Sequence, residues 1–372
     1  MPAIDWISVR GFRSLENLQK LELRAVNVVI GANGSGKSNF IEVFSFLNAI
    51  REGRLKEYVG RSGGAEALLF LGSKRTKHIE IHVAFSGEVN QYKIDLIPTD
   101  DGDLIPFDEI IYYWDKSKYQ HPYDRSLANS GFEAAISKPQ SQAISQYVRG
   151  HLGKWRVYHF HDTSRTSPLK QTAEINDNRS LRADAANLAP FLYMLRNKHS
   201  EEYNMIVNTI KSVAPYFMDF SLEPSALNED KIRLEWRHES SDAYFAASSM
   251  SDGTLRFVAL ATLLLQPAAL KPSVIIIDEP ELGLHPYALT ILASMIRRAS
   301  IESQIIISTQ SALLLDNFDP EDVLVANRQD NATVFCRLTD DSLDAWLEDY
   351  SLGQLWEKGE LGGRPTSEME RD

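Results

Sequence analysis

The chain is poor in cysteine. Cys336 stands alone among 372 residues, which excludes a disulfide framework and a thiolate metal cluster. Long apolar runs are also missing: the longest mostly apolar stretch, Phe257 to Leu265, falls far short of the roughly 20 residues a membrane span needs. The opening Met1-Pro2-Ala3-Ile4-Asp5-Trp6 has no basic patch ahead of an apolar core, so nothing there reads as a secretory leader. No heptad run is long enough for a coiled-coil arm, and no internal repeat or low-complexity segment is visible. Histidines and acids show no spacing that suits zinc. Positive charge is in short supply, with 39 Lys and Arg against 51 Asp and Glu, a formal net charge of -12. Such a chain does not coat nucleic acid by bulk charge. What is left, 43% hydrophobic and 24% charged, is the mix of an ordinary globular protein, expected to be cytoplasmic and to make no use of a membrane.

The charge is unevenly spread. Residues 340 to 372 hold ten acids against Lys358, Arg364 and Arg371. Residues 111 to 198 hold thirteen Lys and Arg against seven acids, a local basic surface through which DNA is a candidate partner.

Strands are expected at Ile4 to Arg10, Leu18 to Leu23 and Ala25 to Ile30. The last is an almost continuous apolar run, as in a strand buried on both faces. It runs into Gly31-Ala32-Asn33-Gly34-Ser35-Gly36-Lys37-Ser38-Asn39 and then a helix with Phe40, Val43, Phe44, Leu47 and Ile50 on one face. Ile79 to Phe85 and Tyr92 to Ile97 alternate as antiparallel strands around Gly87-Glu88. Between about Asp100 and Ser225 a strand at Trp155 to Phe160 and helices near Asp184 to Arg196 and Glu201 to Ser212 are expected. Further on come strands at Ile232 to Arg237 and Ala243 to Ala247, then a helix with Leu255, Val258, Ala259, Thr262 and Leu263 on one face. Buried strands follow at Val274 to Ile277 and Ile305 to Ile307, with Pro286 in the first turn of the helix between them.

Gly31 to Ser38 fits the phosphate-loop pattern G-x-x-x-x-G-K-S and sits between a buried strand and an amphipathic helix, the context such a loop requires. Its glycines let backbone N–H groups curl around a β-phosphate, and the following helix aims its positive end there. Lys37 can reach the β- and γ-phosphates, and the Ser38 hydroxyl is placed to ligate Mg²⁺. Val274-Ile275-Ile276-Ile277-Asp278-Glu279 brings two carboxylates to the end of a buried strand. Asp278 would hold Mg²⁺ through its water shell, and Glu279 would orient and deprotonate the attacking water. The bland reading is that the two acids cap the next helix. Ser251-Asp252-Gly253 opens a helix about 25 residues earlier. It reads equally as an ordinary N-cap and as an anion-binding cluster that completes the site of a neighbouring copy.

Taken together these motifs resemble ABC-type ATPases of the SMC/RecF/OLD branch. The resemblance is carried by Ile7-Ser8-Val9-Arg10-Gly11-Phe12-Arg13-Ser14, by Gly31 to Asn39, by Ser251-Asp252-Gly253-Thr254 and by Asp278-Glu279-Pro280-Glu281-Leu282-Gly283-Leu284-His285-Pro286. Trp346 to Gly353 and Gly362 to Pro365 are similar to stand-alone bacterial predicted ATPases of that branch. The resemblance implies an α/β P-loop NTPase of ABC-ATPase type, with a mixed, largely parallel core sheet, an antiparallel β lobe and an inserted α+β or helical subdomain. The corresponding division is 1–99 for the N-terminal lobe, 100–230 for the inserted subdomain, 231–340 for the C-terminal lobe and 341–372 for an acidic tail. It further implies a head-to-tail homodimer closing on two Mg-ATP. Asn33 to Asn39 would cradle one nucleotide, Ser251 to Gly253 of the other subunit would cap it, and Glu281 to His285 would cross the seam.

Where relatives place a γ-phosphate-sensing histidine, this chain has Ser308-Thr309-Gln310-Ser311. Gln310 can hydrogen-bond the same oxygen but carries no positive charge, so slow or partner-dependent hydrolysis is expected. The glutamine that touches Mg²⁺ in relatives has no clear counterpart; Gln171 and the His161-Asp162 pair are candidates, as against ordinary hydrogen-bonded groups. Ile110 to Tyr119 mixes aromatics with lysines, either to stack on single-stranded bases or to protect a sheet edge. Arg179, Arg182, Arg196 and Lys198 read as phosphate contacts or as solvated helix faces.

An ATP-driven dimeric switch of the DNA repair or anti-phage defence type follows, with larger assemblies possible. A nuclease effector would be a separate polypeptide, since no acidic metal cluster of the kind fused in OLD chains is seen. The alternatives are a transporter's nucleotide-binding subunit, against which the aromatic-rich insertion speaks, and a nucleotide-gated scaffold that scarcely hydrolyses ATP, against which Glu279 speaks.

Overall fold

The computed structural model of the chain describes residues 4–127, 131–139, 142–164, 166–339, 343 and 346–362. Its strands, in chain order, are β1 (Trp6–Phe12), β2 (Leu15–Glu22), β3 (Val26–Ile30), β4 (Ile79–Phe85), β5 (Asn90–Pro98), β6 (Leu104–Tyr113), β7 (Tyr123–Ser126), β8 (Trp155–Tyr158), β9 (Ala173–Glu174), β10 (Phe217–Ser221), β11 (Lys231–Ile232), β12 (Glu235–His238), β13 (Tyr244–Ala246), β14 (Val274–Asp278), β15 (Gln304–Ser308), β16 (Val323–Gln329) and β17 (Ala332–Arg337). The helices that matter below are α1 (Lys37–Glu52), α2 (Leu55–Arg61), α3 (Ala65–Leu68), α4 (Ala143–Leu152), α5 (Leu188–Lys198), α6 (Ser200–Val213), α7 (Asp252–Leu265), α8 (Pro286–Ala299) and α9 (Ala312–Leu315).

The core sheet runs β17-β16-β3-β15-β14-β8. All of its pairings are parallel except the edge strand β17, which is antiparallel to β16. Its central strands are buried on both faces, which explains their unbroken Val and Ile runs. Alternate residues serve two cores. Val28, Ile30, Ile275, Ile277, Ile305 and Ile307 face a layer built from α5 to α8. Val29, Ile276, Ile306 and Leu324 face α1 and a second, antiparallel sheet ordered β2-β1-β4-β5-β6-β7. On α1 the expected stripe Phe40, Val43, Phe44, Leu47 and Ile50 is fully buried. The mixed α/β architecture with an antiparallel lobe is as expected.

Several elements differ from expectation. β6 pairs with β5 from Asn90↔Tyr113 to Pro98↔Leu104, and β7 pairs with β6. The antiparallel sheet therefore continues through the boundary drawn at residue 99. β8 pairs with β14, Val274↔Trp155 to Ile277↔Tyr158, so the middle third also supplies an edge of the core sheet. Trp155 and Tyr158 are buried there, and burial of such large rings favours pairing over a free-standing insertion. The strand expected over Ile232 to Arg237 is split between β11, paired with β9, and β12, between β10 and β13. Buried Leu234 makes the corner, its carbonyl accepting from Ala247 N–H at 3.0 Å. Helix α7 buries every residue from Leu255 to Leu265, not one face, because it packs against both α6 and α8. The run Ile110 to Tyr119 is not a sheet edge: Ile110 to Tyr113 lie in β6, covered by β7, and beyond the strand Lys116 pairs with Glu88 and Lys118 with Asp115. Arg182 pairs with Asp177 and Arg196 with Glu223. Most of the tail 341–372, including Gly363 to Pro365, lies outside the described residues.

Candidate nucleotide site

Parallel register brings the motifs to one end of the core sheet. Val29 of β3 pairs with Ser308 of β15, and Ser308 pairs with Asp278 of β14. The loop from Gly31 to Gly36, which leaves β3, and the carboxylates of β14 are thus separated by a single strand, at the carboxyl ends where α/β sheets bind ligands.

The loop is held rigidly. Lys37, 6% exposed, donates from Nζ to Gly31 O at 2.5 Å and Ala32 O at 3.1 Å. Gly36 caps α1 at φ 104°, a left-handed conformation that favours glycine. A Cβ there would overlap the hydroxyl of Thr333. Thr333 Oγ1 donates to Ser35 O at 2.7 Å and lies 2.7 Å from Ser14 Oγ, which also accepts from Asn39 Nδ2 at 2.7 Å. Arg328 donates to Gly34 O at 3.1 Å. β16, β17 and the β1–β2 turn therefore clamp the loop from behind, while Asn33, Gly34 and Ser38 stay exposed. Ser14 was quoted only as the end of the opening motif, with no role assigned, and Arg328 and Thr333 were not singled out from sequence; the signal for the latter two is a short β-hairpin pattern around Asp330-Asn331.

Across the gap, Asp278 accepts from Ser308 Oγ. Glu279 adopts φ 43°, rare for a residue with a side chain, while its N–H donates to Ser308 O at 3.0 Å. This turn delivers its carboxylate to Gln310, whose Nε2 donates to Glu279 Oε1 at 2.5 Å. The Gln310 backbone N–H donates to Glu281 at 2.9 Å. Burial pushes the Glu281 carboxyl up, and the Gln310 N–H and Thr309 hydroxyl pull it back. Burial lowers the Lys37 ammonium, and Glu279, Asp278 and Glu281 oppose that shift. The three carboxylates thus sit in the field of the loop lysine. A negatively charged phosphate would act on Lys37 in the same direction.

The residues fit Mg²⁺ bound with a phosphate chain. The exposed Ser38 hydroxyl and the Asp278 carboxylate are hard oxygen donors of the type Mg²⁺ takes. The buried Ser35 hydroxyl has no hydrogen-bond partner among the described residues. No group of three or more His, Cys, Asp or Glu that would form an all-protein metal site is present among them.

Ser251 is the N-cap of α7, its hydroxyl accepting from Thr254 N–H at 3.1 Å and lying 2.8 Å from Thr254 Oγ1. Tyr216 OH lies 3.2 Å from the same Oγ1, a neighbour that sequence reasoning missed. Asp252 pairs with Lys170 at 3.1 Å. Gly253 is packed so tightly that a Cβ would overlap Gly283 O. Arg256 ties three segments together, donating to Phe160 O at 2.9 Å, to His161 O at 3.1 Å and to Leu282 O. His161 and Asp162 lie in the loop directly after β8, beside β14, whereas Gln171 ends the turn Pro168–Lys170. No hydrogen bond or ion pair joins Ser251 to Gly253 with residues 31 to 38 among the described residues.

The fold is that of Smc head domains. An Smc head bound to the C-terminal winged-helix domain of ScpA superimposes with a TM-score of 0.59 at 18% identity, over 92% of this chain and all of that one. An Smc head with an extended coiled coil, bound to the C-terminal domain of ScpA and derived from Pyrococcus furiosus, gives 0.59 at 16% identity, over 94% and 99%. In sequence, 88 residues are 34% identical to the DNA replication and repair protein RecF of Anaeromyxobacter sp. (strain Fw109-5); they make up 22% of this chain and 24% of that protein, so the chain spans about a quarter of this relative. No helix among the described residues is long and apolar enough to cross a membrane. With residues 26–316 matching its model, the chain belongs to the family described as AAA domain, putative AbiEii toxin, Type IV TA system.

Proposed function

We propose that the chain is an ATP-hydrolysing switch that works as a head-to-tail homodimer. The observation that carries this reading is the juxtaposition of the Gly31–Ser38 loop with Asp278, Glu279 and Gln310 across one strand of the sheet. Asn33 to Asn39 bind the phosphates, with Lys37 on the β- and γ-phosphates. Mg²⁺, held by Ser38 and Asp278, offsets charge on the phosphate oxygens when bound. Glu279 takes a proton from the attacking water. Gln310, hydrogen-bonded to Glu279, donates to the γ-phosphate in this reading. It adds no positive charge, so basal turnover is slow.

The exposed N-terminus of α7, with Ser251, Asp252 and Gly253, caps the nucleotide of the other copy, as an anion-binding helix end does. Closure and reopening of the pair then move whatever is attached. RecF acts in DNA replication and repair by its name, and the Smc heads are bound to ScpA. By analogy this switch serves DNA repair or anti-phage defence, with a separately encoded effector such as a nuclease and with DNA bound through residues 111–198. It works in the cytoplasm.

The test is the solution mass of Glu279→Gln with and without Mg-ATP, beside the same variant carrying Ser251→Arg. Doubling with ATP that Ser251→Arg abolishes is the expected result. A mass indifferent to ATP, in a chain that binds ATP, would sink the dimer reading.

A further inference from the structure

The opposite end of the core sheet carries a cluster of arginines with no ion-paired carboxylate among the described residues. Arg51 stands in the last turn of α1, Arg149 in the last turn of α4, and Arg156 on β8. All three are half-buried, and the side chains of Arg51 and Arg156 meet at Gly153. Arg156 Nη1 donates to Gly153 O at 2.7 Å, and the main-chain carbonyl of Arg149 accepts from Gly153 N–H at 3.1 Å. A Cβ on Gly153 would come within 2.5 Å of Arg51 Nη2 and 2.9 Å of its Cζ, so the Arg51 guanidinium packs directly against this glycine. Burial and the charges of Arg149 and Arg156 lower the Arg51 guanidinium, and Glu52 opposes them. Glu52 is itself engaged by Arg54. None of the three arginines forms an ion pair among the described residues, although the chain has 51 acids to supply one.

Their donors are also incompletely used. Arg149 Nη2 donates to Ser137 O at 3.2 Å, and Arg156 Nη1 also donates to Trp155 O at 2.8 Å. Arg51 Nε and Arg149 Nε are sealed from solvent with no hydrogen-bond partner among the described residues, as are His151 Nδ1 and Trp155 Nε1 beside them. Lys154, exposed, adds its charge and, after burial, helps lower the His151 imidazole. Helix C-termini account for some of this attraction for cations. They do not account for three guanidiniums placed together at the cost of mutual repulsion.

We infer that Arg51, Arg149 and Arg156 form a phosphate-binding site separate from the nucleotide site. Guanidinium forks match the oxygens of a phosphate, and several converging on one anion relieve each other's repulsion. The separation is large. Arg51 lies about 21 Å along the axis of α1 from Lys37, and Trp155 pairs with Val274 at the start of β14, the end away from Asp278. The site takes either free phosphate or a backbone phosphate of nucleic acid. It gives the DNA contact proposed above a place but does not depend on the ATP-driven dimer.

The test uses the full chain, with Arg51→Gln as the first variant because the Arg51 side chain makes no hydrogen bond among the described residues. Arg298→Gln, an exposed arginine on α8, is the charge control, and thermal midpoints check folding. Binding of labelled short duplex DNA is followed against salt, and binding of inorganic phosphate is measured in a Lys37→Ala background. Arg51→Gln is expected to weaken the duplex about tenfold and to reduce the salt slope by about one, with Arg298→Gln unchanged. Loss of inorganic phosphate binding alone supports the site with free phosphate as its ligand. Equal binding of both probes by wild type and Arg51→Gln, or binding of neither by wild type at low salt, overturns the inference.

Discussion

Gln310 Nε2 donates to Glu279 Oε1 at 2.5 Å, so the glutamine that replaces the expected histidine already holds the proposed general base. This contact survives replacement of Glu279 by glutamine, because an amide oxygen accepts the same hydrogen bond. Glu279→Gln therefore removes basicity while leaving the turn and its neighbours in place. Phosphate release is expected to fall by about 10²- to 10⁴-fold, with ATP affinity and thermal midpoint close to wild type. Coupled phosphate-release kinetics beside equilibrium nucleotide binding make the comparison. Undiminished turnover would remove Glu279 from the role of base.

Gly253 is fixed by a backbone oxygen. The carbonyl of Gly283, in the loop after β14, occupies the space a Cβ would need, and backbone cannot rotate aside as a side chain can. Gly253→Ala should push α7 away from that loop and cost about 1–3 kcal/mol as overpacking. A fall of several degrees in the thermal midpoint is the readout, together with weaker ATP-driven dimerisation. Gly34→Ala makes the contrast: Gly34 has open space around it, so its cost is the backbone strain of φ 79° alone.

The difference between these two glycines marks where sequence reading succeeds. Gly31 to Ser38 and Asp278-Glu279 were legible because each motif sits against a run of apolar residues whose burial on both faces leaves one placement, β3 and β14. The clamping role of Thr333 and Ser14 on Gly36 and Asn39 was not legible. Thr333 acts through contacts with Ser14 and Ser35 some three hundred positions away, Ser14 reaches Asn39 across 25 positions, and no local period encodes such meetings. In the middle third the strand at Trp155 was expected, but its place at the edge of the core sheet was not, for a related reason. β8 is only four residues long, and its pairing partner β14 lies more than a hundred positions later. Helix α7 was read as presenting one face, Leu255, Val258, Ala259, Thr262 and Leu263, yet every residue from Leu255 to Leu265 is buried. Its true environment, between two other helices, exists only in the tertiary fold.

His82 gives the antiparallel lobe a pH dependence of its own. Its Nε2 lies 2.9 Å from Gln91 Oε1, so the neutral ring donates there. The ring packs edge-on against Trp6 at 4.8 Å and is tilted against Tyr112 at 5.4 Å. Burial holds the imidazole down at about 4, reinforced by Lys93 and opposed by the Gln91 hydrogen bond and Glu80. An unfolded chain takes up the proton near the ordinary value of about 6.5. Protons therefore bind the unfolded state first as pH falls. The stabilisation is fully present above about 6.5 and drains away between there and about 4, by at most about 3 kcal/mol. Glutamine at this position keeps a donor toward Gln91 but does not titrate in this range. Denaturant midpoints taken across that interval should decline for wild type and decline less for His82→Gln. Parallel declines for the two proteins would place the acid sensitivity elsewhere.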